Sequence, residues 1–213
     1  MIDKVYLLSH PAFDKRRKHI TERLNYEGIS YEIIENFSPE ELDYEEIVKN
    51  SNQYYPIIIQ QIKYYSYYNY PKKISPGSLS LVLKHINCWE KQRDNHFEKI
   101  LILEDDCEIP NNFISILEKV SSEMRTGNYD IVMLGGFSDF VSPNVIEGNS
   151  IHYHPLQKTR CTHAYLVDIK CVDKLIIGFG NINNPIDIKM NEVIQLNQLK
   201  VAWLEPGLKQ IEV

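Results

Sequence analysis

Three consecutive acids, Glu104-Asp105-Asp106, follow directly on the apolar run Ile100-Leu101-Ile102-Leu103. Adjacent carboxylates repel one another and raise each other's pKa unless a cation neutralises them. Hard divalent ions such as Mg2+ or Mn2+ favour oxygen ligands and bridge to substrate phosphates. If the chain stays extended, Glu104 and Asp106 share one side and form a metal-ligand pair, while Asp105 faces elsewhere, toward a ribose hydroxyl for example. The competing explanation is that acids merely punctuate a strand end and cap the next helix. The apolar run tips the balance toward a metal–phosphate site, because a strand buried on both faces delivers its end to the sheet edge where ligands bind.

Other side chains carry two readings each. His85 shares a helix face with Leu81 and Cys88, which suits a packed core histidine as well as a ligand contact. His163 opens a strand candidate, a position closer to a cleft. His152 and His154 alternate on an extended segment, but no third metal ligand stands at suitable spacing. Asp187 falls in the first turn of a helix candidate behind Pro185, where a carboxylate suits the helix dipole. Asp139 lies in the loop after Gly135-Gly136. Arg16-Arg17-Lys18 is either a diphosphate contact, with Arg16 the candidate, or a solvated helix face. Tyrosines at 54, 55, 64, 65, 67, 68 and 70 can stack on a base or sugar ring, or pack a helical flap or partner surface.

The elements that must hold these groups alternate between short apolar runs and helical periodicity, the pattern of an α/β protein with a mainly parallel sheet. Val5–Leu8, Tyr31–Ile34, Ile100–Leu103, Ile131–Leu134, Ala164–Val167 and Lys200–Leu204 read as strands. Helices are expected over Arg16–Tyr26 with a stop at Gly28, from Ser38-Pro39, from Ser75-Pro76-Gly77, over Phe113–Met124 before Gly127, and near Lys170–Ile177 and Ile186–Leu196. No repeat or linker divides the chain, so one domain over residues 1–213 is expected.

Composition bounds the function class. With 23 basic against 29 acidic residues the net charge is −6, so there is no global basic field for nucleic acid. The apolar run Val5–Leu8 is too short for a signal-peptide core, and no segment approaches a membrane span. The four cysteines show no Cys-x-x-Cys spacing, and a reduced, cytoplasmic setting is expected.

Five segments, in order, resemble glycosyltransferase family 25, which includes lipooligosaccharide transferases and collagen galactosyltransferases. They are Val5-Tyr6-Leu7-Leu8 with Arg16-Arg17, Ile74-Ser75-Pro76-Gly77 with Leu83-Lys84-His85 and Trp89, Ile102-Leu103-Glu104-Asp105-Asp106, Cys161-Thr162-His163-Ala164-Tyr165, and Pro185-Ile186-Asp187. The resemblance implies a GT-A-like (Rossmann-like) fold, a nucleoside diphosphate sugar donor that is usually UDP-linked, and Mn2+ or Mg2+. It implies donor contacts at Leu8, Arg16, His85 and Asp105, metal ligation by Glu104 and Asp106, and catalytic roles for Asp187 and His163. Asp187 would orient or deprotonate a glycan or collagen-like hydroxyl acceptor, giving inversion. This sequence departs from the family pattern where Glu after Pro-Gly is Ser78, where Gly-Cys is Ser80-Leu81, and where the Ser before His is Lys84. Those departures motivate one rival, a non-catalytic relative that binds a nucleotide-sugar or glycan or serves as a structural module; a second rival is a metal-dependent phosphohydrolase on another α/β fold.

Overall fold

A computed structural model of the chain describes residues 2–43, 47, 74–136, 150–153 and 161–211. Its centre is a seven-stranded sheet built from β1 (Lys4–Leu8), β2 (Glu32–Ile34), β3 (Lys99–Glu104), β4 (Ile131–Gly135), β5 (Ile151–Tyr153), β6 (Ala164–Asp168) and β7 (Val201–Leu208). The spatial order is β2-β1-β3-β6-β4-β7-β5. Strand β1 pairs in parallel with both β2 and β3, and β4 pairs in parallel with β7. Strand β6 runs antiparallel between β3 and β4, and β5 lies antiparallel on the β7 edge. Five of the seven strands therefore share one direction, and the expectation of a mainly parallel sheet holds with one reversed strand at its centre.

Helices cover both faces. Helices α1 (Asp14–Tyr26) and α3 (Phe113–Thr126) pack on one, while α2 (Pro76–Asp94), α4 (Val172–Gly178) and α5 (Ile186–Leu196) pack on the other. Strand β3 shows why its run is apolar throughout. Leu101 and Leu103 face Ile20, Leu24 and Phe113, whereas Ile100 and Ile102 face Leu79, Val82 and Trp89. Each such fully buried aliphatic side chain contributes roughly 1.5–3 kcal/mol.

Local chemistry sets the helix ends. The Ser75 hydroxyl accepts the Ser78 amide at 3.2 Å, capping α2 ahead of Pro76 at its first position. Gly28, at φ 70°, follows α1 in the left-handed conformation that ends helices. Helix α3 has no cap of its own. The Glu27 carboxylate, from the end of α1, accepts the amides of Asn112 and Ile114 at 3.2 and 3.4 Å instead. The helix expected to start at Ser38 is a turn through 39–41, with the Glu41 amide on the Ser38 carbonyl. The tyrosine-rich stretch 53–70, Asp139 and His154 lie outside the described residues.

Candidate active site

Strands β1 and β3 end side by side, Leu8 opposite Glu104, so Ser9 and His10 emerge next to the acidic triplet at the carboxyl edge of the sheet. The chain does not stay extended there. The Cys107 amide closes a turn on the Glu104 carbonyl at 3.1 Å, and Ile211 donates to the Asp106 carbonyl at 2.7 Å. The turn bends all three acids onto one cavity of about 490 Å3, in place of the alternation expected for an extended chain. A cavity of this size is in the range of small-ligand sites.

Each acid has its own environment. The Glu104 carboxylate accepts the Thr162 hydroxyl at 2.7 Å and lies 3.4 Å from His85 Nε2, an ion-pair distance rather than a well-formed hydrogen bond. With Nε2–H directed at that carboxylate, His85 Nδ1 accepts the Tyr165 hydroxyl at 2.7 Å. Burial pushes the Glu104 carboxyl up, but His85 and Thr162 outweigh it and hold the group below its ordinary value. Asp105 accepts the Ser9 hydroxyl at 2.8 Å, yet burial prevails and raises its pKa. Asp106 is raised by burial and then by the Glu104 charge, against Arg16, whose guanidinium stands 3.7 Å away.

The rest of the cavity is graded in character. Ser9 is a hub, since its hydroxyl also receives Arg17 Nε at 3.3 Å and its carbonyl receives Lys84 Nζ at 2.6 Å. Burial pulls Lys84 below its ordinary pKa, against the charges of Asp105 and Glu35. His10 and Phe13 put aromatic rings on another wall, 5.6 Å apart, and Arg16 lies over the Phe13 ring at 5.1 Å. The His10 ring is fixed by the Ala12 amide donating to Nδ1 at 3.1 Å.

Of the residues singled out from sequence, Leu8, Arg16, Glu104, Asp105 and Asp106 line this cavity. His85 and His163 do not, being 0% and 2% exposed. His85 supports Glu104 from beneath. His163 donates from Nε2 to the Leu208 carbonyl at 3.0 Å, and its Nδ1 is buried with no hydrogen-bond partner among the described residues. Asp187 stands at the start of α5, taking the Ile188 amide at 2.8 Å and the Cys161 amide at 3.5 Å. It is joined to the acidic turn through residues 161–162 and is not on the cavity wall. Ser9, His10 and Phe13 went unread in the sequence, although their position just after a strand end was the available signal.

The profile described as "Glycosyltransferase family 25 (LPS biosynthesis protein)" matches residues 2–190. The chain belongs to glycosyltransferase family 25. This family 25 enzyme is 24% identical over 211 residues to a Haemophilus influenzae protein named "Putative glycosyltransferase", covering 95% of this chain and 68% of that one. Among solved structures, UDP-glucose pyrophosphorylase is similar in its apo form (TM-score 0.50, 11% identity) and complexed with UDP-glucose (TM-score 0.50, 12% identity), with 99% of this chain and 92% of that chain covered in each. The fold is accordingly GT-A-like.

The departures from the family 25 pattern cluster at the site. Ser78 is held by the Ser75 hydroxyl at 2.9 Å, Ser80 and Leu81 line the cavity, and Lys84 is bound to Ser9. Cys161 adopts φ 66°. A divalent ion fits one carboxylate better than a protein cage. Among the described residues no group of three or more His, Cys, Asp and Glu side chains is arranged to hold a metal, and Glu104 is already engaged. Asp106 Oδ1, in contrast, is buried with no hydrogen-bond partner among the described residues. Ions such as Mg2+ bind at phosphate sites through one or two carboxylates plus the substrate's own oxygens. No helix among the described residues is long and apolar enough to cross a membrane.

Proposed function

We propose that the enzyme transfers a hexose from a UDP-linked sugar to a glycan or protein hydroxyl, with inversion at the sugar carbon and assistance from Mn2+ or Mg2+. The observation that carries this is the single cavity where a carboxylate turn, two cations and an aromatic wall meet at the carboxyl ends of β1 and β3. That grading suits the parts of a nucleotide sugar: a base against His10 and Phe13, a diphosphate near Arg16 and Lys84, and a sugar toward the acids. The same fold in UDP-glucose pyrophosphorylase has been solved with UDP-glucose.

Asp106, with the free lone pairs of Oδ1, would hold the ion, and Glu104 would add charge from its hydrogen-bonded position. When bound, the ion supplies positive charge against the developing UDP leaving group. Asp105, anchored by Ser9, faces the ribose region. Asp187, which lies outside the donor cavity across residues 161–162, is assigned to the acceptor side, where it would orient the acceptor and take its hydroxyl proton as the new O–C bond forms. The electron pair of the breaking C–O bond leaves with the diphosphate. His163 keeps the start of β6 in place beside Glu104, whose amide donates to the His163 carbonyl at 2.8 Å.

Asp106→Asn tests this. Sugar transfer or donor hydrolysis with Mn2+ is expected to fall about 100- to 1,000-fold, the range for losing one electrostatic stabiliser of the transition state. Circular dichroism should stay unchanged, and full activity in this variant would reject the assignment.

A further inference from the structure

Lys84 is a buried ammonium in an unusual position. It is 3% exposed, it lines the donor cavity, and its one hydrogen bond among the described residues goes to a neutral acceptor, the Ser9 carbonyl at 2.6 Å. The other cations here are matched with carboxylates. Arg16 lies 3.7 Å from Asp106, and Arg17 lies 3.0 Å from Glu35. Among the described residues no carboxylate comes within 4 Å of Lys84; Asp105 and Glu35 act on it from farther away. A buried charge without a close counter-ion is costly, so a lysine placed this way calls for an anion that the cavity admits.

Two further features point the same way. Gly77 in the first turn of α2 and Ser80 just after it contribute to the cavity wall, bringing the positive end of a 19-residue helix to the same space. An ammonium carries three donors, and Ser9 takes one. The remaining two are suited to the oxygens of a diphosphate.

We propose that Lys84 is a resident cation for the donor's diphosphate, so that nucleotide binding in this enzyme persists without a divalent ion. The inference rests on the donor reading above and adds that the protein itself supplies part of the charge. Lys84 neutralises the bound diphosphate and, being held by Ser9, does so from a fixed position. A divalent ion then improves binding and leaving-group departure without being required for nucleotide capture.

The experiment is calorimetric titration of UDP into the full chain, in EDTA and in Mn2+, for the unmodified enzyme, Lys84→Met and Lys84→Arg. The unmodified enzyme should bind UDP in EDTA. Lys84→Met should weaken that binding about 10- to 100-fold, as expected for losing a charge-assisted contact. Mn2+ should narrow the gap, and Lys84→Arg should stay within about five-fold of the unmodified enzyme. A second measurement needs no variant: in EDTA, inorganic pyrophosphate should compete with UDP, and uridine should bind at least about 10-fold more weakly than UDP. UDP binding that vanishes in EDTA, or that is unchanged in a folded Lys84→Met protein, would overturn the role of Lys84 and leave the donor reading standing. No UDP binding in either buffer would overturn both.

Discussion

At position 161 the backbone turns through φ 66° with a cysteine side chain on it. A β-carbon in this left-handed region crowds its own backbone, at a cost of about 1–2 kcal/mol. The conformation serves the site. It turns the Cys161 amide toward Asp187 and seats the Thr162 hydroxyl on Glu104, so strain at one residue fixes two carboxylates. Glycine would adopt the same turn without the steric cost but with a freer unfolded chain, which offsets about 0.4–1 kcal/mol of the gain. Cys161→Gly should therefore stabilise the enzyme by a net ~0.5–1 kcal/mol, a rise of ~2–3 °C in melting temperature by calorimetry. A lower melting temperature would mean that contacts of the thiol outweigh the backbone strain.

Strand β4 carries the next constraint. Its register against β7 shifts between Met133 and Gly135, and Gly135 pairs with Leu208, whose carbonyl accepts His163 Nε2. The imidazole lies against Gly135 so closely that an added β-carbon would collide with Nε2 and its two neighbouring carbons. Gly135→Ala should thus displace His163 and lose about 1–3 kcal/mol, the usual cost of overfilling a packed site, seen as a lower denaturation midpoint at unchanged slope. Elements such as β3 and α2 were legible in the sequence because their signals are local: an apolar run buried on both faces, and a Ser-Pro cap ahead of a helical rhythm. The acidic strand end at 104–106 was legible for the same reason. What stayed hidden depends on distant partners. The turn at Glu104 is held by Ile211 at Asp106 and by Lys209 at Glu108. Strand β7 runs on past Leu204, where the expected strand ends, through Glu205-Pro206-Gly207 to Leu208, because the Ser150 carbonyl accepts the Glu205 amide and Leu208 finds Gly135. The reversed direction of β6 and the three-residue β5 have no local signature either, whereas the helix face that His85 shares with Leu81 and Cys88 did point to a buried histidine.

Across the whole molecule, the −6 charge is less telling than where the acids sit, because the sheet delivers three of them to one partly dry edge. Burial raises Asp105 and Asp106 above their ordinary value of 3.8, so over the window between the ordinary and raised values the folded state binds more protons than the unfolded chain. Stability from these two groups is complete below the ordinary value and is lost as pH rises through the raised ones. Glu104 acts in the opposite sense, since its value is lowered: its contribution is present above 4.5 and is lost as pH falls through the lowered value. Replacing both aspartates by asparagine removes the first contribution and leaves the second. The double variant D105N/D106N should melt above the unmodified enzyme at neutral pH, by ~2–4 °C for each kcal/mol relieved. The difference should shrink on acidification and close below the ordinary value, by about pH 3, where the aspartates of folded and unfolded chains alike are protonated. Mn2+ with UDP should reverse the ranking at neutral pH, because the divalent ion tightens binding, and so stabilises, mainly the chain that keeps its carboxylates. A double variant that melts lower than the unmodified enzyme at neutral pH without ligand would show that these aspartates hold the edge together. The opposite result identifies them as groups kept ionised at a stability cost that the bound donor and cation offset.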